Sequence, residues 1–283
     1  MDTIDTVAAA AAARTAPVRV PEITIYFWIV KILSTGAGES TSDFLAHRFN
    51  PALVAIAGAA GLAVSLVLQF RMRRYLAWTY WFAVLMVAIF GTMAADVLHD
   101  GLHIPYSTST IALAVVLAII FVAWYRVEHT LSIHSITTRR REGLYWATVI
   151  ATFAVGTAAG DMTATTFGWG YLISGIAFGV AIIAVGLAHA LITRSISDAS
   201  RARPTIGVFT FWLAYILTRP LGASFADWIG KPPEKSGLGF GDGTVALVLF
   251  VLIVLFVGYL AMTRIDVPAP AVDERPLASG EFA

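Results

Sequence analysis

Four aspartates occupy equivalent positions of a pattern that occurs four times along the chain. Each occurrence has an aromatic residue, then Trp, then Gly ten residues after the Trp and Asp five residues later. The aspartates are Asp43, Asp96, Asp161 and Asp227. The preceding Trp and Gly residues are Trp28 and Gly38, Trp81 and Gly91, Trp146 and Gly156, and Trp212 and Gly222. Carboxylates in long apolar segments are costly and usually mark the path of an ion or a proton. The pattern therefore predicts a ring of ion-binding carboxylates, with interfacial groups or helix caps as the alternative.

Residues near these aspartates offer further oxygen and nitrogen ligands. On a helix, residues three or four apart share a face, and this spacing adds Glu39, Thr92, Thr157 and Arg219 to the predicted substrate or ion-binding residues. Carboxylates and imidazoles without sulfur suit a hard or borderline divalent cation such as Mn, Mg or Ca, with Zn or Fe as alternatives. The predicted metal ligands are Glu39, Asp43, His47, Asp96, His99, Asp161 and Asp227. For the outer histidines, an interfacial position is the alternative.

Two basic residues lie within the same apolar segments. A desolvated Arg219 needs a partner, and in a closed ring repeats four and one are neighbours, so we expect it to pair with Glu39 or with Asp227. Lys31 either neutralises the empty site or extends its side chain to the cytoplasmic surface, and we favour the second. Clustered carboxylates repel one another and retain protons, which predicts proton coupling.

The composition indicates which elements hold these residues. The chain has 283 residues, of which 58% are hydrophobic and 13% charged, with a mean hydropathy of +0.77. Soluble domains are about 45–50% apolar and about 25% charged, so this is an integral membrane protein that uses the lipid bilayer as its partner. A net charge of +1 gives no basis for binding nucleic acid, and the absence of Cys excludes disulfides and thiolate sites.

Runs of about 20 apolar residues predict eight transmembrane helices. The runs cover residues 22–46, 51–70, 76–98, 108–127, 142–166, 170–193, 206–229 and 243–263. Of the 19 Lys and Arg residues, 14 fall in the tails and in the connections after spans two, four and six, whereas three fall in the opposite connections. The positive-inside rule then places both termini in the cytoplasm, and we expect the bacterial inner membrane as the location.

The pattern divides the chain into four parallel two-helix repeats between two tails. The predicted boundaries are a cytoplasmic N-terminal tail 1–21, repeats 22–74, 75–141, 142–203 and 204–264, and a disordered cytoplasmic C-terminal tail 265–283. The fold class is an all-α membrane protein with the motif helices inside and the blander apolar helices outside. We expect the Trp residues to anchor the cytoplasmic interface, the Gly residues to permit close helix packing, and the glycine-rich stretch from Gly237 to Gly243 to be a flexible linker.

These repeats resemble a known family. The fourfold motif, with KILSTGAGE from Lys31 to Glu39 and YILTRPLGAS from Tyr215 to Ser224, is similar to bacterial membrane proteins built from domain-of-unknown-function 347 repeats. The resemblance covers residues 22–263. It implies a topology and supplies no activity, so the function has to be argued from the residues.

The residues favour a transporter that carries a divalent metal ion resembling Mn and is coupled to protons at the aspartates. An ion or proton channel with a carboxylate-lined pore is the alternative. An intramembrane enzyme acting on a lipid-linked substrate is a weaker one, because no nucleophile and base pair is recognisable, and we expect no enzyme activity. The expected partners are the transported cation and protons, with no cofactor other than a bound divalent metal ion. The sequence does not determine the oligomeric state.

Overall fold

The computed structural model describes residues 15–196 and 202–272. These residues form eight long helices: α1 (Ile25–Arg48), α2 (Pro51–Arg71), α3 (Ala77–Asp96), α4 (Tyr106–Glu128), α5 (Arg139–Asp161), α6 (Gly170–Ser195), α7 (Ala202–Gly230) and α8 (Asp242–Thr263). Two-residue strands β1 (Thr15–Ala16) and β2 (Ala271–Val272) pair antiparallel. Most of the predicted tails, residues 1–14 and 273–283, lie outside the described ranges.

Local sequence signals set several helix ends. The side chain of Thr24 accepts a hydrogen bond from the backbone of Phe27 at the start of α1, and Asn50 caps α2 just before Pro51. Pro at the first helical position is favourable because its missing N–H is not needed there. By contrast, α3 and α5 end at their motif aspartates and are followed directly by π-helical turns, Val97–Gly101 and Met162–Thr166. Such turns are rare and occur often at functional sites.

The four motif helices form a closed ring. In this ring α1 contacts α3, α3 contacts α5, α5 contacts α7, and α7 contacts α1. The other four helices lie outside it, with α2 against α3, α4 against α5, α6 against α7 and α8 against α1. Each outer helix thus packs mainly on the motif helix of the next repeat, and α8 closes the circle by packing on α1. The repeats are interlocked rather than four separate pairs.

The motif glycines bring neighbouring ring helices together. A Cβ added to Gly38 would lie 2.4 Å from Ala88, one on Gly91 3.0 Å from Phe153, one on Gly156 2.5 Å from Arg219 and one on Gly222 1.9 Å from Thr35. In each case the contacted residue lies on the next helix of the ring, eight positions before that helix's aspartate. The same glycine contact therefore recurs at all four interfaces between ring helices. The constant spacing between Gly and Asp in the four repeats keeps this contact at the same depth in each of them.

Seven of the described helices are long and apolar enough to cross a membrane. The exception is α1, the first of the eight predicted spans, because its interior carries Lys31, Glu39 and Asp43. This helix is enclosed by α2, α3, α7 and α8, and its charged middle is buried. The outer helices show the opposite pattern, with large apolar side chains exposed along most of their length. Apart from the two short strands, the described residues are thus all-helical as predicted, with the motif helices inside and the apolar helices outside.

The motif tryptophans do not lie where interfacial anchors would. Trp81, Trp146 and Trp212 are buried, and Trp28 is partly buried. These tryptophans pack against other aromatic side chains, and together they form a layer that fills the ring. Their partners in this layer are Phe27, Tyr80, Tyr145, Phe211 and Tyr215. The anchoring prediction fails because each motif places two consecutive aromatic residues on a helix that is surrounded by other helices. The layer closes this end of the ring, about 22 Å along each helix from the aspartates.

Segments that the sequence assigns to the tails cover the aromatic layer. Val18 and Val20 are buried, and Arg19 forms a 2.7 Å ion pair with the buried Glu142 at the start of α5. On the C-terminal side the hydroxyl of Tyr75 donates a hydrogen bond to Asp266, which is also buried. The described parts of the tails, residues 15–21 and 265–272, therefore pack onto the bundle rather than extending from it.

Candidate cation site

A cavity of about 750 Å³ lies at the end of the ring opposite the aromatic layer. All four motif aspartates line it, together with Glu39, His47 and Lys231. Loop residues Lys235 and Ser236 form part of its rim, so the cavity is open at the end where these loops lie. The repeated spacing in the sequence thus brings the four carboxylates to one place.

Three carboxylates lie close enough together to share one metal ion. Oxygen atoms of Glu39, Asp43 and Asp227 lie within 4.8 Å of one another. Glu39 and Asp43 are one turn apart on α1, and Asp227 is held beside them because Gly222 lets α7 approach α1 closely. Asp227 is only 4% exposed, and its Oδ1 atom has no hydrogen-bond partner among the described residues. A buried carboxylate oxygen without a donor is costly, and a cation would satisfy it.

Arg219 forms the predicted ion pair with Glu39. Its Nη2 atom lies 2.5 Å from Glu39 Oε2 and 2.5 Å from Thr92 Oγ1, and Thr92 in turn donates to Glu39 at 3.1 Å. Arg219 is fully buried, which matches the expectation that a desolvated Arg has a carboxylate partner. The alternative pair with Asp227 is not formed in the described structure. This pair neutralises Glu39 and fixes it beneath the other two carboxylates.

Lys231 is a site residue that the sequence analysis did not include. Its Nζ atom lies 2.5 Å from Asp43 Oδ2, 3.6 Å from Asp242 Oδ2 and 3.9 Å from Asp227 Oδ1. Burial lowers the pKa of this ammonium, but Asp43 and Asp227 more than offset that effect and raise the pKa well above its usual value. In the count of basic residues Lys231 is one of the three that fall in the opposite connections. The signal that could have identified it is its position four residues after Asp227, on the same helix face.

The glycine-rich stretch before α8 is not a flexible linker, which corrects the prediction. Four backbone N–H groups of this stretch donate to carbonyl groups at the end of α7 and just after it, over 2.7–3.1 Å: Leu238 to Trp228, Gly239 to Lys231, Phe240 to Ile229 and Gly241 to Gly230. Gly239 and Gly241 adopt positive φ angles of 81° and 83°, which favour glycine. A Cβ on Gly237 would lie 1.9 Å from the carbonyl oxygen of Lys231. These glycines hold a tight turn that places Asp242 beside Lys231.

The remaining predicted ligands divide into two groups. Asp96 and Asp161 line the cavity, and Asp96 accepts a 3.3 Å hydrogen bond from Ser42. His47 also lines the cavity, but its Nδ1 atom bonds the backbone carbonyl of Asp43 at 2.7 Å. His99 and Thr157 do not belong to the site.

The reason in both cases is a local hydrogen bond. The two ring nitrogens of His99 lie 2.8 Å from the carbonyl oxygen of Ile104 and 3.3 Å from the hydroxyl of Ser109, so both nitrogens have partners other than the motif aspartates. Thr157 donates to the carbonyl of Phe153 on its own helix, which leaves it in the helix packing rather than in the cavity.

Lys31 does not extend to the surface, contrary to the expectation. It is 1% exposed, and its Nζ atom lies 4.0 Å from the ring centre of Phe153 and 4.3 Å from that of Tyr215. Among the described residues the ammonium has no hydrogen-bond partner. The side chain stays inside because the aromatic layer closes that end of the ring, and the ring faces attract the cation instead.

Comparison with known proteins identifies the repeats. A family model described as Repeat of Unknown Function (DUF347) matches residues 26–75, 79–130, 144–195 and 210–266. No curated protein and no solved structure matches the chain. The four matches coincide with the four motif helices and the outer helices that follow them, and together they span most of the sequence. The chain therefore belongs to the family of proteins built from these repeats.

Proposed function

We propose that the chain is a membrane transporter for a divalent cation resembling Mn²⁺. The observation that carries this proposal is the group formed by Glu39, Asp43 and Asp227, whose oxygens lie within 4.8 Å of one another at the bottom of an open cavity. The buried Oδ1 of Asp227 accepts no hydrogen bond from any described residue, which is an independent indication that a ligand belongs there. Enzyme chemistry has no comparable support.

The donor set determines the class of cation. All three groups offer carboxylate oxygen, which hard divalent cations such as Mn²⁺, Mg²⁺ and Ca²⁺ prefer. Asp96, Asp161 and His47 line the same cavity and extend the set of oxygen and nitrogen donors that a hydrated ion meets on entry. The ion is the transported substrate, and the protein needs no other cofactor.

The surface supports a multi-pass protein in the bacterial cytoplasmic membrane. Large apolar side chains are exposed along the outer helices, as lipid contact requires. The excess of basic residues in the tails and in alternate connections supports an orientation with both termini in the cytoplasm. With this orientation the carboxylate cavity faces the exterior, and the buried aromatic layer separates it from the cytoplasm.

A carrier fits this arrangement better than an open pore. The cavity opens at one end only, since buried aromatic side chains and the tail segments fill the other end of the ring. Transport then requires the ring helices to move so that the site becomes accessible from the other side. Protons exchange with the cation at the clustered carboxylates, which makes the transport proton-coupled.

Flux measurements in proteoliposomes test this function. We expect saturable Mn²⁺ uptake by the wild type, and a loss of at least about tenfold in Asp43→Asn and Asp227→Asn, because each substitution removes an anionic ligand of the ion. Glu234→Gln is the matched control, since Glu234 is an exposed carboxylate on a loop at the same end of the bundle.

Two further readouts separate the alternatives. A carrier coupled to protons shows a change of internal pH together with the Mn²⁺ flux, whereas a channel shows current that does not saturate. Unchanged Mn²⁺ flux in both aspartate variants, with the wild type active, would show that this site does not carry the ion.

A further inference from the structure

Lys231 occupies the place that a bound cation would take. Its ammonium nitrogen is in contact with Asp43 and is the nearest positive charge to Asp227. Both carboxylates belong to the group that we assign to the transported ion. The side chain is largely buried in the cavity wall rather than extended into solvent. The positive charge beside Asp43 and Asp227 in this structure is therefore the protein's own Lys231 ammonium.

A metal ion and this ammonium compete for the same carboxylates. Metal ions of this class bind carboxylate oxygens at about 2.0–2.6 Å. An ion bound to the Asp43 oxygen that contacts Lys231 would thus lie within about 5 Å of the ammonium nitrogen, which is 2.5 Å from that oxygen. Like charges at such a distance in a partly buried site repel strongly. Binding of the ion has to be accompanied by departure of the lysine side chain.

The local structure lets the side chain move while the backbone stays in place. The backbone N–H of Lys231 donates to the backbone carbonyl of Asp227 at 2.8 Å, and the backbone carbonyl of Lys231 accepts from the N–H of Gly239 at 2.8 Å. These bonds fix the Cα atom at the edge of the cavity. The four-carbon side chain is flexible, and the open rim beside Lys235 gives the ammonium a route to solvent.

We propose that Lys231 is a tethered competitor that occupies the carboxylate site in the empty protein and leaves it when a divalent cation binds. This inference rests on the proposed function. It also makes Lys231 a residue that determines specificity. Exchange of an ammonium for Na⁺ or K⁺ leaves the charge of the site unchanged, whereas exchange for a divalent ion adds one positive charge to a site rich in carboxylates. The competitor thus disfavours monovalent ions.

Mn²⁺ binding to the purified full-length protein in detergent tests the proposal. The dissociation constant is measured for the wild type, Lys231→Met and Lys235→Met. Lys235→Met is the matched control, because it removes an exposed positive charge from the rim of the same cavity. If the lysine occupies the site nine-tenths of the time, its removal lowers the dissociation constant about tenfold. We expect that change in Lys231→Met, a change below about threefold in Lys235→Met, and inhibition by Na⁺ that is stronger in Lys231→Met than in the wild type.

A chemical rescue keeps the test independent of folding defects. The sequence contains no Cys, so Lys231→Cys has one reactive thiol. Aminoethyl methanethiosulfonate attaches an ammonium to that thiol through a mixed disulfide and releases methanesulfinate. We expect this reaction to weaken Mn²⁺ binding to the wild-type value, and the uncharged methyl methanethiosulfonate to leave binding tight in the same preparation.

The outcomes separate this proposal from the function on which it rests. Equal or weaker Mn²⁺ binding in Lys231→Met, with binding present in the wild type, would overturn the role of Lys231 and leave the cation site standing. Binding in Lys231→Met alone would support the competitor role, since the lysine would then exclude the ion completely. Absence of Mn²⁺ binding in all three folded proteins would overturn the proposed function, and the exchange would fall with it.

Discussion

Substitution of Arg219 by Met tests the buried ion pair on which the site rests. Met keeps a side chain of similar length in the groove beside Gly156, where a Cβ would lie only 2.5 Å from the Arg219 stem. It removes the donor to Glu39 and Thr92, however, and leaves Glu39 buried at 4% exposure without a counter-charge. Loss of one partner of a buried pair costs about 3–5 kcal/mol. At about 2–4 °C per kcal/mol for a chain of this size, the melting temperature falls by about 6–20 °C.

The assay is thermal unfolding of the purified protein in detergent, arranged as a double-mutant cycle. Arg219→Met, Glu39→Gln and the combined variant are compared at one pH and one salt concentration. Either single substitution breaks the pair. We therefore expect the double variant to lose much less free energy of unfolding than the sum of the losses in the two single variants, with a coupling energy of at least about 2 kcal/mol. Arg140→Met is the control, since the Arg140 side chain is 69% exposed and its pair with Glu128 is worth about 1 kcal/mol or less.

Additive losses in the two single variants would refute the reasoning. They would show that Arg219 and Glu39 contribute to stability separately and that the 2.5 Å contact between them carries no net energy. A fall in melting temperature no larger than that of Arg140→Met would refute it as well, because a buried charge without a partner has to cost more than a broken surface pair.

Three other substitutions test the remaining structure by melting temperature. Gly38→Ala should destabilise by about 1–3 kcal/mol, because its Cβ would lie 2.4 Å from Ala88, whereas Gly186→Ala, which meets nothing within 4 Å, should be neutral or stabilising. Equal effects of the two would contradict the proposed helix contact. Lys31→Met should stabilise by about 1–4 kcal/mol, because it removes a buried ammonium without a hydrogen-bond partner in the described structure; a loss of stability would show that the aromatic rings fully compensate the charge. Burial raises the pKa of Asp266 above its usual value, although a hydrogen bond from Tyr75 opposes this. The folded protein then binds the proton more tightly than the unfolded chain, so the stability of the wild type falls as the pH rises from the ordinary Asp pKa of about 4 to the raised pKa. Asp266→Asn does not lose this proton, so its melting temperature should rise relative to that of the wild type as the pH is raised over this range. A constant difference over that range would contradict this prediction.

The sequence determines the depth of each group along its helix but not the direction it faces. The spacing of the motif was sufficient to predict that Asp43, Asp96, Asp161 and Asp227 meet, because equal spacing on parallel helices gives equal depth. It was also sufficient for the pair of Arg219 and Glu39, because a closed ring makes the first and last repeats neighbours. In both cases the prediction rests on symmetry.

The errors arise where the symmetry gives no information. Tryptophans near the end of an apolar segment are typical interfacial anchors. That the motif tryptophans are core residues is seen only once their helices are packed among the other helices. Lys231 belongs to the site because the turn before α8 folds back on α7, and a glycine-rich sequence does not reveal whether its glycines permit flexibility or close contact. His99 was predicted as a metal ligand from its place beside Asp96, but it lies in a π-helical turn and is not among the residues that line the cavity.

The departures from fourfold symmetry favour a carrier over a symmetric pore. At all four ring interfaces a motif glycine contacts the residue eight positions before the next aspartate, and only at the interface of α5 with α7 is that residue charged, as Arg219. Four positions before the aspartate, only the first repeat has an acid, Glu39, where the others have Thr92, Thr157 and Ala223. Arg219 lies on α7 and Lys231 directly after it, and the carboxylates that they contact, Glu39 and Asp43, lie on α1. In a pore that conducts along the ring axis, we expect the charged residues to be distributed around that axis. A carrier instead needs one discrete site, and the charge of that site changes when an ion replaces a proton or a lysine ammonium. The location of the asymmetry therefore supports the proposed carrier, with one binding site beside α1 and α7 rather than on the ring axis.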